Sequence, residues 1–146
     1  MTLHLVKLCV GAVSIEDLAH WQQGRLAAMH RAGEVARIHH TTFQTPKRQA
    51  ELLDGGSLYW VIKGVIQARQ RLTGFGEGSK DDGSPCCLLL LDEEIVPVRP
   101  TPRRAFQGWR YLAATDAPPD LASSTAADLA DMPAKLRREL AELGLL

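Results

Sequence analysis

The sequence predicts an α+β fold: a strongly bent, mostly antiparallel, barrel-like sheet with two or three flanking helices. Three observations carry that prediction. The chain has 146 residues and is 45% hydrophobic, the size and composition of one globular domain. Helix-start and helix-stop signals alternate with short stretches of two-residue hydrophobic rhythm, as mixed helices and strands require. One of those stretches, Leu58 to Thr73, keeps its rhythm beyond the usual strand length of ~3–10 residues.

Taken in order, Thr2 to Val10 bears apolar residues on both faces (Leu3, Leu5, Val6, Leu8, Val10) and is expected to be a well-buried strand. Ser14-Ile-Glu-Asp opens a helix with a capping-box-like start and Asp17 in its first turn. That helix carries Ile15, Leu18, Trp21, Leu26 and Met29 as an apolar stripe and ends near Gly33. Val35 to Phe43 reads as a second strand. Thr45-Pro46 caps a short helix, Lys47 to Leu53, which stops at Asp54-Gly55-Gly56. Its basic N-terminal residues, Lys47 and Arg48, oppose the helix dipole at an end whose free N–H groups favour anions.

In Leu58 to Thr73 the even positions are apolar through Trp60, Ile62, Ile66 and Ala68, and the odd positions hold Lys63, Gln67, Arg69 and Arg71. A hairpin at Lys63-Gly64 would set Ile62 opposite Val65 and mix the faces. One long strand bent at Gly64, as at a barrel corner, preserves them and is the expected arrangement. Gly74 to Pro85 reads as a mobile, polar, Gly-rich loop; it lacks the following helix that a phosphate-cradling loop needs. Cys86 to Leu91 is a buried strand, Ile95 to Val98 a short one whose Pro97 marks an edge, and Pro100 to Arg110 an extended basic segment. Residues 1–112 therefore make the barrel-like domain and 113–130 a linker-like segment. Residues 131–146 hold a C-terminal helix, Met132 to Leu143, that docks through Leu136, Leu140 and Leu143.

The 17 basic and 17 acidic residues cancel, which excludes a strong global attraction to nucleic acid or membrane. The balance is local: residues 37–110 are mildly basic and the tail mildly acidic. Cys9, Cys86 and Cys87 make an odd count with an adjacent pair, which is no disulfide framework and favours a reducing, cytoplasmic setting. The N-terminus reads as no signal peptide, and the longest apolar run is far too short to cross a bilayer. His39 and His40, adjacent on a strand, point to opposite faces and cannot share one metal, and no Cys or His spacing suits zinc. No metal or other cofactor is called for. No Ser/His/Asp order, nucleophile elbow or paired-carboxylate motif appears.

Two constellations suit an anionic ligand. The first is the polar strand face, Tyr59, Lys63, Gln67, Arg69 and Arg71, with alternate side chains about 7 Å apart, a spacing that can meet successive phosphates while Tyr59 stacks. The second is Arg103, Arg104, Trp109 and Arg110, with Arg99 just before them, which suits phosphate contact and cation–π stacking. The alternatives are an ordinary solvated face for the first, and for the second a Trp109 packed into the core beneath solvated arginines.

Through LLDGGSLYWVIKGVIQARQRL (Leu52 to Leu72) and RAFQGWRYL (Arg104 to Leu112), the chain resembles a family of short bacterial proteins known only as a domain of unknown function. The resemblance covers most of the chain and implies no activity. A short helix, a Gly turn and a long basic strand are also similar in architecture to the PUA and ASCH group of RNA-related barrels. That likeness implies RNA or modified-nucleotide binding. The sequence thus points to a non-catalytic module binding RNA or a nucleotide-type anion. A small enzyme acting on a nucleotide or other phosphorylated compound, through Lys63 or a histidine, is the alternative, and a homo-oligomer joined through the Trp60 face is a third.

Overall fold

Strand β1 (Leu3–Leu8) opens the chain, and helix α1 (Ile15–Arg31), strand β2 (Ile38–Thr42) and helix α2 (Gln49–Leu52) follow. Then come β3 (Ser57–Ile62), β4 (Val65–Ser79), β5 (Pro85–Leu91), β6 (Val96–Pro102) and β7 (Trp109–Ala113). This is a computed structural model and it describes residues 2–121; the expected helix at Met132 to Leu143 lies outside the described residues. All strands belong to one sheet, ordered β2-β5-β4-β3-β1-β7, with β6 on β4. Among the described strands only the β1–β3 pair is parallel. The fold is α+β and mostly antiparallel, as the sequence predicts, and the ladder is open, since β2 and β7 end it without pairing to each other.

The expected single strand from Leu58 to Thr73 is instead a hairpin. Lys63 (φ +52) and Gly64 (φ +77) form its tip, and positive φ at both central residues is the signature of the type I′ turn that matches the twist of paired strands. Ile62 faces Val65 and Val61 faces Ile66, but Trp60 then faces Ala68, leaving Gln67 as a bulge. The turn reverses the parity of the faces and the bulge restores it. Two reversals look like none in the sequence, which is why the rhythm reads straight through Gly64. The mixing of faces that argued against a hairpin also has little consequence here, because β3 is buried on both sides.

The expected Gly-rich loop is corrected as well: Gly74 to Ser79 continues β4 and pairs with β5. Its alternate glycines make room for side chains of the neighbouring strand. A Cβ at Gly78 would stand 3.1 Å from Leu88 Cδ2 and 3.2 Å from Cys86 Sγ, and one at Gly74 would stand 3.4 Å from Leu90. Helix α2 is shorter than expected and begins at an Arg48 cap with no side-chain hydrogen bond. The N–H groups of Lys47 and Arg48 donate to the Tyr111 hydroxyl at 3.1 and 3.2 Å, so an internal partner meets the demand assigned to an anion. Gly56 is required by close approach: a Cβ there would come within 2.2 Å of the carbonyl oxygens of both Leu3 and Leu52.

Two cores flank the sheet. Leu3, Leu5, Leu58, Trp60, Ile62, Leu72 and Leu89 pack against Leu18 and Leu26 of α1 and Leu52 of α2. On the outer face Val6, Tyr59, Val61, Ile66, Val98 and Leu112 form a smaller cluster. The chain after β7 returns across this face, with Arg99 N donating to Pro119 O at 2.8 Å and Val98 bridging to Asp120. The sheet curls strongly towards its helices. Three ladder steps separate β2 from β3, about 14 Å in a flat sheet at ~4.8 Å per step, yet the rings of His40 and Trp60 lie 5.0 Å apart.

Candidate functional site

The curl leaves a pocket of about 390 Å³ between the sheet and the first turns of α1, with Trp60 and His40 at its floor. Strand β1 supplies one wall through Cys9, after which Gly11 at φ +92 turns the chain into the helix. Ser14 caps that helix by accepting from Asp17 N at 3.1 Å, while Asp17 Oδ2 accepts from Val13 N at 3.2 Å. Asp17, His20 and Trp21 thereby line the mouth. Of the stripe expected on α1, Leu18 and Leu26 are buried, with Gln22 between them. Trp21 departs from that expectation: it is 54% exposed and joins Val10 and Val13 as an apolar rim. Arg25 Cζ lies over its ring at 4.8 Å.

A buried amide network fixes the floor. Gln22 and Gln70 exchange two hydrogen bonds of 2.8 Å, each amide donating to the other's oxygen. Trp60 Nε1 donates to Gln70 Oε1 at 2.9 Å, and Gln70 Nε2 also donates to Asp92 O at 3.0 Å. With no free donor, the Trp60 ring has one orientation, edge-on to His40 at an interplanar angle of 84°.

Burial acts on three titratable groups in or near the pocket. Burial, helped by the charges of Lys7 and Arg25, pushes His40 down to about 4. Burial pushes the Cys9 thiol up to about 11. Lys7 is also lowered by burial. At neutral pH the floor therefore offers an uncharged imidazole and an uncharged thiol, neither a ready proton acceptor nor a nucleophile. Among the described residues no group of His, Cys, Asp and Glu is placed to hold a metal ion.

The residues expected to bind ligand do not form one row. Tyr59 is 4% exposed and cannot offer a stacking face. Gln67 is the buried bulge, donating from Nε2 to Ile62 O at 2.8 Å. Arg69 is bound on both sides: Nε and Nη2 donate to the Asp120 carboxylate at 2.7 and 2.8 Å, and Nη1 to Ser57 Oγ at 3.1 Å. Lys63 stands exposed in the turn and Arg71 exposed on β4. Trp109 points to the helix side, donating to Gln44 O at 2.7 Å, so it is separated from the neighbouring Arg110 by the sheet itself. Arg103 and Arg110 flank Phe106 at 5.3 and 5.4 Å, and Arg104 is exposed beside them.

The pocket residues went unselected for physical reasons. Trp60 reads as core from its alternation, and Lys7 is the lone cation in a greasy strand. The enzymatic alternative points to Lys63 or a histidine without choosing His40, and Lys63 sits at the hairpin tip. Lys7 and His40 stand on strands with three others between them in the sheet, and no sequence spacing encodes a relation between the two.

The chain belongs to the family described as protein of unknown function, DUF1489, whose model matches residues 5–146. This is the kind of family that the two quoted segments resemble, and it assigns no activity. Neither the curated proteins nor the solved structures offer a match. No helix among the described residues is long and apolar enough to cross a membrane.

Proposed function

We propose that this protein is a non-catalytic binding module that takes a flat, uncharged ring of the nucleobase type, from a free nucleotide or an unpaired RNA base, into the pocket beneath α1. One observation carries the reading: an oriented Trp60–His40 floor faces an exposed Trp21 across a cavity of about 390 Å³. A cavity of this size and apolar lining suits one small ligand, and a neutral imidazole can hydrogen-bond to a base edge. The depressed His40 and raised Cys9 favour binding over the enzymatic alternative, because neither is poised for proton transfer or attack at neutral pH. The curl of the sheet supports the likeness to PUA-type barrels. The exposed Lys63, Arg71, Arg104 and Arg110 and the partly exposed Arg103 are available as backbone contacts if the base comes from RNA.

Tryptophan fluorescence titrations with the four nucleosides and with short single-stranded RNA test this. Trp21→Ala is expected to weaken binding by about 5- to 150-fold, the range for loss of one base–aromatic stack of ~1–3 kcal/mol. Arg69→Ala plus Arg71→Ala is expected to leave nucleoside binding unchanged. Binding that fell with the arginine pair and ignored Trp21→Ala would move the site to the outer face and end this reading, as would a failure of every nucleoside and RNA to bind.

A further inference from the structure

A half-buried ammonium on the pocket side of the sheet deepens that reading and rests on it. Lys7 is paired in register with Trp60 on β3 and with Trp109 on β7, so its side chain leaves the sheet on the same face as both rings. Leu5 precedes it on this face and the pocket-lining Cys9 follows it. The position is costly for a cation: the neighbouring groups are aromatic or aliphatic, and burial lowers the lysine's proton affinity.

Among the described residues no carboxylate forms an ion pair with Lys7. Among the described residues the two ion pairs stand elsewhere, Arg48 with Glu51 on α2 and Arg69 with Asp120 on the outer face. The acid on the pocket wall, Asp17, is turned to the start of its own helix through Val13 N. Every fully buried side-chain nitrogen and oxygen among the described residues has a hydrogen-bond partner. An ammonium with no such partner therefore still reaches water, and can reach a ligand. A second cation, Arg25, stands over Trp21, with Nη1 donating to His39 O at 3.4 Å, Nη2 3.0 Å from His39 Nε2, and no ion pair among the described residues. The charges of Lys7 and Arg25 both help burial to hold His40 below its ordinary value.

We infer that this pocket selects an anionic ligand, a nucleoside monophosphate rather than a nucleoside, whose phosphate reaches past the lining residues to Lys7 on the same face of the sheet, with Arg25 assisting from beside Trp21. A phosphate supplies the missing counter-charge, and its oxygens match the ammonium as charge-assisted acceptors. The base of the same molecule then meets Trp60, His40 and Trp21. An ammonium held in low dielectric without a partner strengthens any such contact well beyond its value at an open surface.

The test is a matched titration of the full-length protein with each nucleoside, its 5′-monophosphate and inorganic phosphate, followed by calorimetry at low salt. The monophosphate of the preferred base is expected to bind about 10- to 150-fold more tightly than its nucleoside, the range for a charge-assisted contact of ~1.5–3 kcal/mol. Lys7→Gln should bring that ratio to about 2 or below while leaving nucleoside affinity intact, which also shows that the variant is folded. Lys7→Arg should restore much of the preference. Equal affinity of the wild-type protein for nucleoside and monophosphate would overturn this inference and leave the base-binding reading standing. A ratio that survives Lys7→Gln would overturn the role of Lys7. Loss of all binding in the wild-type protein would end both.

Discussion

The two faces of the sheet handle charge in opposite ways. On the outer face Arg69, the cation that the sequence singles out most clearly, is closed into a bidentate pair with Asp120 and a third bond to Ser57. On the helix face Lys7, a lone cation in an apolar strand, shares its side of the sheet with Trp60 and Trp109 and forms no ion pair among the described residues. Counting cations along a strand therefore says little about which of them can meet a ligand. Availability depends on burial and on whether a carboxylate arrives from a distant segment, and Asp120 lies 51 positions from Arg69.

The largest effects separating the faces belong to the pocket floor. Trp60→Ala removes a side chain that is 1% exposed and is expected to cost about 3–5 kcal/mol in urea unfolding. A loss below about 1 kcal/mol would mean that the floor is not packed as described. Gln70→Leu leaves the Trp60 N–H and the Gln22 amide without their shared partner and is expected to cost about 2–3 kcal/mol. The double variant Gln22→Leu plus Gln70→Leu should cost less than the two single changes together, because it removes both halves of one satisfied pair. Strict additivity would show that the two amides act separately.

Next in size is a pH effect. His40 is held near 4 in the fold against 6.5 for an ordinary histidine, so folding favours its neutral form. Its contribution is complete above about pH 6.5 and is lost as pH falls from there towards 4, by an amount on the order of 3 kcal/mol. His39 and His4 are lowered too, so stability should fall across this window in the wild-type protein and fall less steeply in His40→Leu. Identical slopes in the two proteins would place the imidazole in water. On the other face the sign is the same but the window lies lower. Arg69 holds Asp120 below its ordinary value, so the pair contributes above that value and fades as pH falls through it. Half-exposed ion pairs contribute little, and Asp120→Asn is expected to change stability by about 1 kcal/mol or less.

Much of the secondary structure was legible because its signals are local. Ser14, Gly33, Gly55 and the buried run Cys86 to Leu91 mark ends and strands through chemistry contained within a few residues. The Gly-rich stretch was not legible, because glycine gives the same signal where it frees a loop and where it admits Leu88 and Leu90 from the next strand. The site was least legible of all. Its floor joins β2 to β3 across two intervening strands, and its cation comes from β1, so it exists only through the curl of the sheet.

The smallest effect tests the misread that shaped the sequence expectation. Lys63 holds φ at +52, a conformation that costs an ordinary side chain about 1 kcal/mol and that Asn tolerates better. Lys63→Asn creates the Asn-Gly pair favoured in two-residue hairpins and should stabilise the fold by about 0.5–1 kcal/mol. It removes an exposed cation as well, so the same variant asks whether the hairpin tip takes part in binding. Unchanged nucleoside affinity with raised stability fits a tip that serves only to reverse the chain. A continuous strand bent at Gly64 predicts the opposite sign, since Asn disfavours extended backbone in the middle of a sheet. One denaturation curve thus decides between a bent ribbon and a turn followed by a bulge, two structures whose hydrophobic rhythm in the sequence is identical.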